Sequence, residues 1–155
     1  MIFVEQVSNK ENIKNTACSL FAKKGYEAVS VQEIVEACGI TKPTLYYYFG
    51  SKAGLLQSII SSKSEKLIQQ LESACMKDEN FFESIKEIIR REINFAKEEP
   101  DFFRMHVSLL NSPGDSETYI FYKEPREKIH NILFEFFKKS SVQFGNMRGK
   151  EEFYS

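Results

Sequence analysis

The chain has 155 residues, 42% of them hydrophobic and 14% aromatic, and a formal net charge of −1 from 21 Lys+Arg against 22 Asp+Glu. That balance excludes a polycationic nucleic-acid coat or a basic membrane-surface peptide, and no apolar run approaches the ~20 residues needed to span a bilayer. Seven glycines and four prolines are few, which favours helices, and an all-α reading, over a turn-rich β fold; three widely separated cysteines, odd in number, in an expected cytoplasmic setting argue for reduced thiols.

The opening MIFVEQVSNK lacks a basic n-region, and its apolar stretch is broken by Glu5, so it does not read as a signal peptide. Residues 1 to about 8 are expected to form a loose arm or to pack lightly through Ile2, Phe3 and Val4. A first helix then runs from about Lys10 to Lys24, with Ser8 or Asn9 as cap. Ile13, Ala17, Leu20 and Phe21 form its stripe, and Gly25 ends it. Cys18 and Cys38 read as small core fillers.

Residues 30–52, SVQEIVEACGITKPTLYYYFGSK, read as helix, tight turn, helix. Ser30 caps a short helix whose Val31, Ile34, Val35 and Cys38 repeat at i, i+3, i+4, i+7. Gly39 closes that helix in a left-handed conformation and Ile40 plugs the turn. Thr41 caps the next helix, and Pro43 sits in its first turn, where a missing N–H costs nothing. Leu45 and Phe49 can face the first helix, leaving Lys42, Thr44, Tyr46, Tyr47 and Tyr48 for the other faces. Tyrosine packs its ring on sugar and donates its hydroxyl to phosphate, which suits a helix lying against DNA. Between Glu36 and Glu65 there is no acidic residue, whereas Lys42, Lys52 and Lys63 lie there, so the tip should be locally positive.

Ser51 caps a long fourth helix from about Lys52 to Met76, with apolar positions at Leu55, Leu56, Ile59, Ile60, Leu67, Ile68 and Leu71. Asn80 caps a fifth with Phe81, Phe82, Ile85, Ile88, Ile89, Phe95 and Ala96. Pro100 and Asp101 open a sixth with Phe102, Phe103, Met105, His106, Leu109 and Leu110. NSPGDSE, Asn111 to Glu117, is a loop of turn formers. The last helical stretch is interrupted by Pro125, a kink or a new start, and from Arg126 to about Val142 carries Ile129, Ile132, Leu133, Phe136 and Phe137.

These residues carry a resemblance. LFAKKGYEAVSV (Leu20 to Val31) is similar to the "aLFaexGyxxtt" segment, and IVEACGITKPTLYYYFGSKAGLL (Ile34 to Leu56) to the "ia..aGvs.gtlY.hF.sKe.Ll" segment, of the DNA-binding domain of the tetracycline-repressor (TetR) family of bacterial transcription regulators. The resemblance spans about Ile13 to Leu56. It implies an N-terminal three-helix helix-turn-helix domain, residues 1–50, joined by a long helix to a helical effector and dimerisation domain, residues 51–155. The latter is expected to lack the last two helices usual in the family, as a truncated chain or as a short member that dimerises otherwise. It further implies that Gln32, Lys42, Pro43 and Thr44 meet base edges, and that Ser30, Tyr46, Tyr47, Tyr48 and Lys52 hold phosphates. The chain departs from the family at Tyr48, where many relatives have histidine, and at Pro43, where glycine is common; proline offers an apolar face to a thymine methyl.

The implied function is a transcriptional regulator, a homodimer on a near-palindromic double-stranded operator, released by a small hydrophobic or aromatic effector. Ligand-binding candidates are Phe81, Ile85, Ile89, Phe102, Phe103, His106, Tyr119 and Tyr122, an aromatic set with a few polar anchors. If the chain pairs without the missing helices, Phe136, Phe137 and Phe144 are candidate partner-surface residues. The alternative is a DNA-binding protein with no small-molecule effector, controlled by abundance or a protein partner. An enzyme is not expected, because the chain has no Ser/His/Asp arrangement, HExxH, CxxC or Gly-rich phosphate loop. Neither a metal nor a cofactor is expected, His106 and His130 being isolated.

Overall fold

The computed structural model of the chain describes residues 2–75, 80–112, 114–142, 149–150 and 152, with side chains from Asn9 onward. Among these residues there are seven α-helices and no strand: α1 (Ile2–Lys24), α2 (Val31–Cys38), α3 (Lys42–Phe49), α4 (Lys52–Cys75), α5 (Phe81–Glu98), α6 (Pro100–Leu109) and α7 (Glu117–Ser141). The all-α expectation holds. Local chemistry explains most of the boundaries. Ser30, Thr41, Ser51, Asn80 and Ser116 each accept a hydrogen bond from the backbone N–H three residues on, at 3.1, 3.4, 3.0, 3.0 and 3.1 Å. Each such cap satisfies an otherwise orphaned donor and contributes about 1 kcal/mol.

Two boundaries differ from expectation. The first helix does not begin near Lys10. It begins at Ile2, so the loose arm is replaced by helix, and Ser8 and Asn9 are interior rather than capping. No glycine or proline occurs between Ile2 and Lys24, so nothing in that stretch stops helix propagation. At the other end, Pro125 does not start a new helix: α7 continues through it, at the cost of the amide donor that the Phe121 carbonyl would otherwise receive.

The chain divides into two compact units. The first comprises Met1–Lys63 and Glu99–Phe121, the second Ser64–Glu98 and Tyr122–Ser155. In the first unit, α6 packs on α1, and α1 packs on α2, which packs on α3. Its buried side chains include Ile13, Ala17, Phe21, Ile34, Leu45, Leu55, Phe102 and Met105. α6 contributes Phe102, Met105 and Leu109 at i, i+3, i+7, a single apolar stripe. Three polar links pin this unit. Lys14 Nζ donates to Ser62 Oγ at 3.3 Å, Lys63 pairs with Glu99 at 2.7 Å, and the Tyr26 hydroxyl donates to Glu117 at 2.5 Å.

In the second unit, Leu67, Ile68, Leu71, Ile88, Phe95, Tyr122 and Phe136 are buried. Phe82 and Ile89, expected in the apolar stripe of α5, are instead exposed. The buried positions of α5 are Ser84, Ile88 and Phe95, and Phe82 and Ile89 fall off that line. Phe136 also departs from expectation as a partner-surface residue. It is buried, stacked on Phe81 (centroids 5.8 Å apart) and edge-on to Phe137 at 5.3 Å. Phe137 is half-buried, and Phe144 lies outside the described residues. No helix among the described residues is long and apolar enough to cross a membrane.

Candidate nucleic-acid interface

The α2–α3 pair is held from three directions. Ser30 fixes the start of α2, and Gly39, at φ 64°, ends it in the left-handed conformation, its N–H returning to Glu36 and Val35. Ile40 N donates to Val35 O at 3.0 Å, closing the turn before Thr41. At the far end of α3, Gly50 N donates to Tyr46 O at 2.8 Å. Gly54, in the first turn of α4, then lies so close to α3 that a Cβ there would collide with the Phe49 carbonyl oxygen.

α3 divides its faces as the sequence suggests. Leu45 is completely buried, and burying a leucine contributes about 1.5–3 kcal/mol. Phe49 and Tyr48 are half-buried beside it, their rings 6.1 Å apart. Pro43, Tyr46 and Tyr47 occupy the opposite, solvent-facing side, with Tyr46 45% and Tyr47 77% exposed. Tyr47 meets Tyr48 edge-on at 5.3 Å. Lys42, at the helix start, is exposed. Thr44 is half-buried, and its hydroxyl lies 2.9 Å from that of Thr41. Ser30 and Gln32 are exposed on the first turn of α2, and Gln32 Nε2 donates to Glu36 at 2.5 Å. All nine candidate DNA-contacting residues therefore fall on α2, α3 and the start of α4, within one compact unit.

The charge pattern is sharper than the letters imply. Lys63, counted with the positive tip, is neutralised by Glu99 from 36 residues further on. Glu33 is paired with Lys24 at 2.5 Å, so this carboxylate on α2 is offset. Lys52 sits over the Tyr26 ring, 4.1 Å from its centroid, a cation–π contact that holds the ammonium at the start of α4. Burial pushes the Tyr26 hydroxyl's pKa up, and its bond to Glu117 pushes further in the same direction. Tyr26, Glu117 and Gly54 thus support the interface without having been singled out in the sequence. The Tyr26–Glu117 pair spans 91 residues, and no local pattern announces it.

The eight ligand candidates are divided between the units. Phe102, Phe103, His106 and Tyr119 belong to the first, and Phe81, Ile85, Ile89 and Tyr122 to the second. Phe102 and Tyr122 are buried, Ile89 is exposed, and the others are half-buried. Burial lowers the His106 pKa. The first unit holds a cleft of about 410 Å³ that includes Phe21, Tyr26, Leu56 and Met105. The second holds an open groove of about 400 Å³ that includes Glu72, Cys75, Ile132 and Phe136. None of the eight lines either. Among the described residues no cluster of His, Cys, Asp or Glu side chains is suited to a metal. Cys18 is buried, and burial pushes its thiol up to about 12; Cys38 is only half-buried, so the core-filler reading fits Cys18 better.

The sequence model for bacterial regulatory proteins of the tetR family matches residues 13–59, which contain the whole of this interface. Likeness extends well beyond that segment. The structure superposes on the TetR-family regulator PfmR from Thermus thermophilus with a TM-score of 0.69 and 27% identity, over 88% of this chain and 73% of that one. Residues 13–59 are thus a DNA-binding segment of the TetR type. AibR, solved in complex with isovaleryl coenzyme A and operator DNA, matches with a TM-score of 0.72 and 26% identity over 87% of this chain and 73% of its own. The TetR-type segment is 51% identical over 49 residues to YerO, an uncharacterised HTH-type transcriptional regulator of Bacillus subtilis; that covers 32% of this chain and 17% of YerO. IcaR of Staphylococcus aureus, a negative transcriptional regulator of the biofilm operon icaADBC, is 26% identical over 138 residues, 86% of this chain and 72% of IcaR. The chain spans well under two thirds of the first curated relatives it matches, 17% of YerO and 20% of YuxN.

Proposed function

We propose that this chain is a DNA-binding transcriptional repressor that reads a near-palindromic operator as a homodimer. Residues 1–50 form its DNA-binding part and 51–155 its effector and dimerisation part. The reading rests above all on α3, a short helix anchored through Leu45 that offers Lys42, Pro43, Tyr46 and Tyr47 to solvent in a stretch free of acidic residues. A soluble protein gains nothing in packing from such a surface, whereas the major groove is wide enough to take a helix and rewards each of these side chains. Lys42, Pro43, Thr44 and Gln32 meet base edges; Ser30, Tyr46, Tyr47, Tyr48 and Lys52 hold phosphates. Two reading helices about 34 Å apart would then enter successive major grooves.

The effector is a small hydrophobic or aromatic molecule, and its binding favours a conformation that releases the operator. AibR, captured with an acyl-coenzyme A and with operator DNA, supports a ligand-controlled regulator in this family. The second reading is DNA binding without a small-molecule effector, under the control of abundance or a protein partner. The experiment is a binding titration against DNA from upstream of the chain's own gene. Operator binding that falls when hydrophobic acids or acyl thioesters are added supports effector control; operator binding indifferent to all of them supports the second reading.

A further inference from the structure

The two carboxylates on the solvent side of α2 are used differently. Glu33 is tied back to α1 through Lys24 at 2.5 Å. Glu36 lies one turn after Gln32 on the same face and accepts a hydrogen bond from its Nε2 at 2.5 Å. Both Gln32 and Glu36 are exposed. The backbone beneath them is fixed by the Ser30 cap at one end and by left-handed Gly39 at the other.

We infer that Glu36 is a positioning residue that sets the base preference of Gln32, selecting adenine at the base pair it meets. The inference rests on the proposal that α2 and α3 face DNA. A glutamine amide has an acceptor end and a donor end of nearly equal size, so a free glutamine can flip to suit a donor or an acceptor. An ionised carboxylate only accepts, so Glu36 can hold only the Nε2 end of Gln32. One N–H is committed to Glu36. The Oε1 acceptor and the second N–H remain for the groove. In the major groove that pair matches adenine, which offers the N6 amino group and the N7 acceptor together. Guanine and thymine present an acceptor where Oε1 would lie, and turning the amino end to it would require the flip that Glu36 opposes; cytosine offers the N4 donor without an N7 acceptor beside it. The carboxylate also adds a negative charge beside the phosphates, so discrimination is gained at the expense of overall affinity.

The test is selection from random double-stranded DNA with the full chain, followed by titration of the selected site and of random DNA. It compares the native chain with Glu36→Ala, Glu36→Gln and Gln32→Ala, each checked for an unchanged melting temperature. The native chain should select adenine at one position in each half-site, favoured about tenfold or more over other bases, as a good bidentate contact provides. Gln32→Ala should lose that preference. Glu36→Ala should reduce it to about twofold at the same position while binding random DNA as well or better; a mere loss of folding would weaken both. Glu36→Gln, whose amide can accept from the Nε2 end of Gln32 or donate to its Oε1 end, should relax the preference as Glu36→Ala does. An adenine preference untouched in Glu36→Ala, guanine or thymine at the Gln32 position, or no change in Gln32→Ala would overturn the inference and leave the regulator reading intact. If the native chain enriches no sequence at all, both fail together.

Discussion

Replacing Tyr47 with phenylalanine isolates one hydroxyl on the proposed DNA face. Tyr47 is 77% exposed, and its ring contact is the edge-on approach to Tyr48 at 5.3 Å, which phenylalanine keeps. The substitution should therefore change folding stability by no more than about 0.5 kcal/mol, the usual range at a surface site. If the hydroxyl donates to a phosphate, the loss is a hydrogen bond to a charged acceptor, about 1.5 kcal/mol per reading helix. That is roughly a tenfold fall in affinity per helix, and about a hundredfold for a dimer that uses both. A phosphate contact carries no sequence information, so operator and random DNA should weaken by the same factor. No cation is removed, so the slope of log affinity against log salt should not change; Lys42→Ala, which removes one, should flatten it by about 1 if that lysine also meets a phosphate. Fluorescence anisotropy with labelled operator and random duplexes at four salt concentrations reads all of this. A loss confined to the operator, a changed salt slope, or undiminished affinity for both duplexes would each refute the assignment of Tyr47 to phosphate.

Leu45→Ala removes a completely buried side chain from α3 and should cost about 2–5 kcal/mol in denaturant unfolding, with operator binding lost at temperatures where the fold persists. The glycines separate two causes. Gly39→Ala meets open space but must keep φ at 64°, so it should cost about 1 kcal/mol, whereas Gly54→Ala collides with backbone and should cost about 1–3 kcal/mol and disturb the α3–α4 corner. Equal, negligible melting shifts in both would contradict that geometry. His106 sets a pH dependence: burial lowers its pKa below the ordinary 6.5, so the unfolded chain takes up the proton first. Its contribution is neutral well above pH 6.5 and becomes destabilising as pH falls through that value towards the lower folded pKa. The stability of His106→Phe should fall less between pH 7 and pH 5, measured by urea unfolding, and a parallel decline in both proteins would show that other groups dominate.

How much of this was legible beforehand follows from the range of each interaction. The helix-turn-helix was readable almost residue by residue, because Ser30, Gly39, Thr41 and Pro43 act on backbone groups within four positions of themselves. Leu45 and Phe102 were readable from periodicity alone. The start of α1 was not, since a stretch without glycine or proline gives no stop signal and its first turns carry no distinctive cap. The burial of Phe136, the neutralisation of Lys63 by Glu99 and the Tyr26–Glu117 bond depend on partners 55, 36 and 91 residues away. Sequence spacing carries no trace of such pairings. The Gln32–Glu36 bond was within reach, because i and i+4 share a helix face, but nothing in the letters distinguishes a functional pair from an ordinary solvated one. The exposure of Phe82 and Ile89 shows the converse limit: α5 carries more apolar residues than the buried line through Ser84, Ile88 and Phe95 can hold.

The central claim is specific DNA recognition by α2 and α3, and a titration of the purified chain tests it most directly. The duplexes would be DNA from upstream of its own gene and random DNA of equal length, each at two salt concentrations. The account predicts a preference of about a thousandfold or more for the upstream site, persisting at the higher salt, as expected when base contacts add to the phosphate term. Weak binding, equal on both duplexes and abolished by salt, would contradict it.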